Sequence, residues 1–193
     1  MSTIGVIAIQ GAISEHVMAL EKSCKDLNCK IVTIKRKGKV PHCDALIIPG
    51  GESTTISRIL RVEGIDKEIV ENDSIAMMGT CAGLIVLSNY KNEHVDGLEL
   101  IDVEVKRNAF GRQAESFQVP LAVKGFDSAF EGIFIRAPAI THAGKATDIL
   151  ACFQNYGVAV QQGNKLALAF HPELSNDLRF HEYFLRLIDL RRK

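Results

Sequence analysis

The sequence has no surplus of charge of either sign: Lys and Arg together number 23, and Asp and Glu number 23. A chain balanced in this way lacks the positive field that draws proteins to nucleic acid or to anionic membranes, so neither is expected as a partner. It also lacks any apolar run approaching the roughly 18 residues that a membrane-spanning helix needs. Met1-Ser2-Thr3 leads straight into an apolar run, without the cationic segment and cleavage site of a secretory leader. Its five cysteines are odd in number, form no Cys-x-x-Cys pair and show no metal-ligand spacing. Cys24, Cys29, Cys43 and Cys152 therefore read as packing residues in a reducing compartment, with no metal expected and a cytoplasmic location. Linkers, internal repeats and low-complexity segments are missing too, which makes residues 1–193 one expected domain. Apolar residues at 47% and charged residues at 24% are close to globular averages and argue against disorder.

What is present is an alternation of short β-rich runs with helical patterns. Thr3–Ile9, Ile31–Lys35, Ala45–Ile48 and Ile75–Met78 read as strands, the first of them covered on both faces. Between them, Ser14–Lys25, Thr54–Arg61 and Asp66–Glu71 read as helices. Such alternation predicts a three-layer α/β fold, a mainly parallel central sheet with helices on both faces. The second half carries closely spaced runs at Leu98–Lys106, Ser116–Val123, Ile133–Arg136, Ile149–Gln154, Gly157–Gln161 and Leu166–Phe170. These predict antiparallel additions to that sheet. A last helix is expected over Ser175–Arg191, opening on a Ser/Asn/Asp cluster suited to N-capping.

The most informative stretch is Gly79-Thr80-Cys81-Ala82-Gly83, set between the apolar runs Ile75–Met78 and Leu84–Leu87. Strand, glycine-bounded turn and helix in this order form the elbow that presents a nucleophile, here with cysteine in place of serine. A thiol at a helix start faces unpaired N–H groups and the positive end of the helix dipole, which favours its thiolate. The other reading of Cys81 is a buried small apolar residue, as most cysteines are.

A base is available in Phe170-His171-Pro172-Glu173, after the strand pattern Leu166–Phe170. If the backbone stays extended through the proline, His171 and Glu173 point the same way, so that the carboxylate can orient the imidazole. Cys81, His171 and Glu173 would then form a thiol triad. The plainer reading is a strand-end histidine beside an exposed glutamate. A third element, Ile48-Pro49-Gly50-Gly51-Glu52-Ser53-Thr54, puts two glycines between a strand and a helix. No lysine follows them, which argues against a phosphate-binding loop. N–H groups of this loop, at Gly51, and of Ala82 are candidates for an oxyanion hole; a simple turn is the alternative.

Together IGVIAIQG (residues 4–11), IPGGESTT (48–55), GTCAGLI (79–85), RNAFGRQ (107–113), IRAP (135–138) and FHPEL (170–174) resemble the glutaminase subunits of pyridoxal 5'-phosphate synthase. These belong to the class I, triad-type glutamine amidotransferases, and the resemblance runs over essentially the whole chain. The thiol elbow and the HPE segment are common to class I amidotransferases; PGGEST, RNxFGRQ and IRAP point to the vitamin B6 branch. The resemblance implies hydrolysis of L-glutamine to glutamate and ammonia through a γ-glutamyl thioester on Cys81. His171 would be the acid and base and Glu173 its orienter. It implies that Glu52 holds the α-amino group of the substrate and that Gly50, Gly51, Arg107, Ile135 and Arg136 help bind it. Gln10 is implied as a switch or interface residue. The implied partner is a barrel-shaped, ring-forming synthase subunit that receives the ammonia and holds the sugar phosphates, and no cofactor is implied on this chain.

Three other readings stay open at this point. One is an amidotransferase of another pathway with the same triad, and a second is a cysteine peptidase or deglycase-like hydrolase. The third is a non-catalytic regulatory subunit that keeps the fold.

Overall fold

A computed structural model describes residues 1–25, 27–110 and 115–189. In chain order the elements are β1 (Ser2–Ile7), α1 (Ile13–Ser23), β2 (Cys29–Ile34), β3 (Ala45–Ile48), α2 (Ser53–Glu63), α3 (Ile65–Glu71), β4 (Ala76–Thr80) and α4 (Ala82–Leu87). There follow β5 (Val103–Lys106), β6 (Ser116–Leu121), β7 (Phe130–Ile135), β8 (Ala139–Ala143), β9 (Asp148–Phe153), β10 (Tyr156–Gln162), β11 (Lys165–Leu168) and α5 (Arg179–Asp189). The end of the expected last helix, through Arg191, and Gly111-Arg112-Gln113 of the RNAFGRQ segment lie outside the described residues.

Among the described residues the main sheet is nine-stranded, in the order β2-β1-β3-β4-β11-β10-β8-β5, with β9 pairing to β10. The run β2-β1-β3-β4-β11 is parallel, and β10, β8, β5 and β9 add to it in antiparallel fashion. This is the expected three-layer α/β architecture. The physical cause is the burial pattern: β3 and β4 are buried at every position, so both of their faces need a helical cover. Right-handed crossovers supply it. Moving from β1 to β2 and from β3 to β4 runs in opposite directions along the sheet, which puts α1 and α2–α3 on opposite faces. Accordingly α1 packs with α5, and α2 packs with α3 and α4.

At three places the elements differ from expectation for a local reason. β8 has no counterpart in the sequence reading, because Thr141 and His142 interrupt its apolar pattern where the strand is exposed. β5 is only the end of the run Leu98–Lys106. Leu98, Leu100 and Ile101 donate their N–H groups to Val86 and Leu87 instead, finishing the last turn of α4 at 2.7, 2.9 and 3.0 Å. The last helix opens at Arg179 rather than Ser175, and Asp177 Oδ1 accepts the Arg179 N–H at 3.1 Å.

The runs at Ser116–Val123 and Ile133–Arg136, expected as additions to the main sheet, instead form a separate hairpin, β6–β7, stapled to that sheet by phenylalanines. Phe117 and Phe134 stack at 4.7 Å between ring centroids, with Phe110 edge-on to both. Phe134 also meets Phe170, and Phe170 meets Phe130 and Phe180. Aromatic pairs of this kind contribute about 0.5–1.5 kcal/mol each beyond their buried area. Their sequence positions matter more than the sum. Phe110 follows Arg107, Phe134 precedes Ile135 and Phe170 precedes His171, so one apolar cluster positions three segments of the site.

Candidate active site

The segments that carry the candidate residues leave the parallel strands at the same edge, where open α/β sheets bind their ligands. Adjacent strands β3, β4 and β11 end in register, with Ile48 opposite Gly79 and Thr80 opposite Leu168. Cys81, directly after β4, donates its N–H to Leu168 O at 2.8 Å. The glycine loop follows β3 and His171 follows β11, so strand order alone brings these three segments together.

The elbow is sharper than glycine freedom alone explains. Gly79 and Gly83 are there for close approach: a Cβ on Gly79 would stand 2.5 Å from Gly83 O, and one on Gly83 would stand 2.0 Å from Ile48 O. The unusual backbone sits on the cysteine itself, at φ 49° and ψ −102°. A non-glycine residue held there costs on the order of 1–3 kcal/mol and persists only when its surroundings impose it. In return Sγ is lifted out of the strand line and faces Ile135 O at 3.8 Å.

His171 and Glu173 meet, but not by the extended backbone expected from the sequence. Pro172–Leu174 forms a turn of 3₁₀ helix, and His171 Nδ1 bonds Glu173 Oε1 at 2.7 Å across that turn. Proline fits the first position of such a turn, where an N–H has no use. With Nδ1 engaged, Nε2 is the nitrogen left for the thiol. Burial alone would push the His171 pKa down; hydrogen bonding with Cys81 and Glu173, and the charge of Glu173, outweigh it and push the ring up to about 10. The backbone anchors His171 as well, since its N–H donates to Ile133 O at 2.8 Å.

These side chains open onto a cavity of about 340 Å³, lined by Gly51, Glu52, Cys81, Ala82, Arg107 and His171, with Asn108, Ile135 and Arg136 at its wall. Ala82 is the first residue of α4, so its N–H has no acceptor within the helix. Gly50 is the exception among the expected ligands. It does not line the cavity; its missing Cβ makes room for the His171 ring, since a methyl there would lie 2.4 Å from His171 Cε1 and 3.1 Å from Cys81 Cβ.

Glu52 holds a double position. Its carboxylate caps α2, accepting from Thr54 N–H at 3.1 Å, Thr54 Oγ1 at 2.8 Å and Thr55 N–H at 2.7 Å. It also meets Arg107 Nη2 at 3.3 Å at the cavity wall. Burial would raise its pKa, but the hydrogen bonds from Thr54 and Thr55 prevail and hold the carboxyl at about 2. A depressed carboxylate stabilises the fold above its unfolded value, and that contribution is lost as pH falls toward the folded one. Glu52→Gln is therefore expected to lower the urea midpoint at pH 7. The gap to wild type should close between about pH 4.5 and about pH 2, and a gap that held at pH 2 would refute the capping account.

Arg136, at φ 43°, turns its guanidinium outward to Glu115 at 3.5 Å, so only part of its side chain faces the cavity. Gln10 reaches over from the loop after β1, and its Oε1 accepts the Glu52 N–H at 2.9 Å. Among the described residues no three His, Cys, Asp or Glu side chains converge as metal ligands, and no helix is long and apolar enough to cross a membrane.

The sequence reading missed a buried set behind His171 and Glu173: His16 on α1, Thr80 on β4 and His181 on α5, all completely buried. A signal existed for the first. His16 occupies the buried face of α1 with Ala19 and Leu20, where a polar residue needs a partner.

A cysteine on a strand–helix elbow, an imidazole bonded to a carboxylate and a glycine loop thus surround one cavity. The SNO glutamine amidotransferase family matches residues 6–190. The chain belongs to this family. Relatives within it include proteins named pyridoxal 5'-phosphate synthase subunit PdxT. The one from Methanocella arvoryzae is 50% identical, covering 96% of each chain. That from Archaeoglobus fulgidus is also 50% identical, covering 95% of this chain and 97% of its own. A solved structure described as a glutamine amidotransferase superposes with a TM-score of 0.84 at 42% identity, covering 96% of this chain and 98% of that one. The structure of PurLQS from Thermotoga maritima shares the fold at a TM-score of 0.66 and 16% identity, covering both chains fully.

Proposed function

We propose that this family member is the glutaminase subunit of a pyridoxal 5'-phosphate synthase, supplying ammonia from L-glutamine through a Cys81–His171–Glu173 triad. The observation that carries the reading is the 2.7 Å bond between His171 Nδ1 and Glu173 Oε1 beside Cys81, at a cavity walled by Glu52 and Arg107. An adjacent carboxylate and guanidinium suit the ammonium and carboxylate of a free amino acid. The names of the relatives support the pathway.

In this mechanism Cys81 gives its thiol proton to His171 Nε2 as Sγ attacks the side-chain amide carbon of glutamine. The carbonyl oxygen takes up the negative charge opposite the N–H groups of Gly51 and Ala82, each such donor contributing roughly 2.7–4 kcal/mol in the transition state. His171 Nε2 protonates the departing nitrogen, the C–N bond breaks, and ammonia leaves a γ-glutamyl thioester. His171 then takes a proton from water as its oxygen attacks the thioester, releasing glutamate and restoring the thiol. Glu173 holds the ring in the tautomer that both steps require. Free ammonia in neutral water is mostly ammonium, which is not a nucleophile, so the product must pass directly to a synthase subunit.

The test is glutamate release from L-glutamine, measured with and without the pyridoxal 5'-phosphate synthase partner. Activity that rises on adding the partner is expected. Glutaminase activity indifferent to it would keep the chemistry and refute the assignment to this pathway.

A further inference from the structure

Behind the triad lies a chain of completely buried polar side chains that the proposed mechanism does not use. Glu173 accepts from His171 through Oε1, while its Oε2 is buried without a hydrogen bond among the described residues. Facing that oxygen is His16 Nε2, at 3.4 Å. The same nitrogen is 3.1 Å from Thr80 Oγ1, and Thr80 Oγ1 accepts the Gly50 N–H at 3.0 Å. On its other side His16 Nδ1 meets His181 Nε2 at 3.1 Å.

The tautomers follow from the charges. A bare Nε2 lone pair turned toward a buried carboxylate would be repulsive, so the proton of His16 belongs on Nε2. Its Nδ1 must then accept, which puts the proton of His181 on Nε2 and leaves His181 Nδ1 as a lone pair. That atom is the one on His181 without a partner among the described residues. Burial lowers the pKa of both rings, that of His181 to about 3, so neither carries a charge near neutral pH. Burial would raise the Glu173 carboxyl, and the facing His16 and His171 rings hold it below the usual range.

We infer that His16 is a positioning residue: its Nε2–H, aimed by His181, steadies the free oxygen of Glu173 and, through Thr80, the Gly50 turn of the glycine loop. The inference rests on the triad reading and deepens it. One imidazole on α1 thereby ties the orienter of the base to the loop beside the oxyanion site, and α5 sets its tautomer.

The test uses the full chain with its synthase partner and compares His16→Leu, His16→Gln, His181→Leu and Cys81→Ala. Glutamine keeps a donor at the place of Nε2 and leucine does not. His16→Leu is expected to lower kcat on the order of 10–100-fold, by analogy with losing the outer partner that orients a metal-ligating histidine. KM should stay within about twofold, since His16 touches no substrate. The pH profile separates positioning from packing. The groups around Glu173 are His171 on its own turn, His16 from α1, His181 behind it, Cys81 beyond His171, and Glu15 beside His16. Removing the His16 donor raises the pKa of Glu173, so the acidic limb of kcat/KM should move to higher pH. His16→Gln should recover most of the rate and return the limb. A wild-type kcat and limb in His16→Leu, or equal losses in the leucine and glutamine variants, would overturn the inference. If His16→Leu does not fold, His181→Leu should show a smaller loss and the same direction of shift; an unmoved limb there overturns it as well. Persisting glutaminase activity in Cys81→Ala would instead overturn the triad reading itself.

Discussion

Replacing Cys81 by alanine is expected to abolish glutamate release from glutamine while leaving pyridoxal 5'-phosphate synthesis from added ammonia intact. Removing a nucleophile that acts as a unit with its base costs on the order of 10⁴–10⁶ in kcat, because the remaining groups have nothing to activate. Folding should survive. Alanine fills less volume than cysteine, but the residue sits at φ 49° with a strained backbone whose cost is not specific to sulfur. The two assays separate chemistry from assembly. Loss of both would mean that the elbow holds the partner-binding surface together, whereas retention of the glutaminase rate would remove the thioester from the mechanism.

Gly50→Ala is the second large effect, and it acts by steric displacement alone, with every reacting group chemically unchanged. The added methyl would lie 2.4 Å from His171 Cε1 and 3.1 Å from both His171 Nδ1 and Cys81 Cβ. Backbone on one side and the buried Glu173 on the other leave the imidazole as the part that moves, and its 2.7 Å bond to Glu173 is what breaks. A misplacement of about 1 Å in a base can cost on the order of 100-fold in kcat, and overpacking adds about 1–3 kcal/mol of destabilisation. Gly51→Ala is the matched comparison. Its methyl meets Ile56 Cδ1 at 3.2 Å and Gln10 Oε1 at 3.3 Å, ends of side chains that can yield. Steady-state kinetics on the pair should show much the larger loss at Gly50; equal losses would refute the packing role assigned to it.

The value of Gly50 shows where sequence reading stops. Two adjacent glycines after a strand look alike as letters, and both were expected to contact substrate. Only the neighbouring strand order reveals that one faces the cavity and the other faces the base. The same holds for the HPE segment. Its His-x-Glu spacing correctly brought the two side chains together, yet the geometry comes from a 3₁₀ turn rather than from an extended strand. His16 and His181 lie 165 residues apart and share no motif, so nothing local announces their contact at 3.1 Å.

The sequence by itself determined the fold class, the parallel first half with antiparallel additions, the elbow at Cys81 and the residues of the motifs that mark the family. Those features are local: apolar periodicity, glycines at a turn, a histidine two positions from a glutamate. Tertiary structure decided what those residues face. It set Glu52 to cap α2 beside Arg107, directed Arg136 outward to Glu115, and closed a buried line from His181 to Glu173. The reason is physical. Whether a polar side chain finds water, substrate or another buried group depends on which strand ends are neighbours, and neighbours in this sheet come from distant parts of the chain.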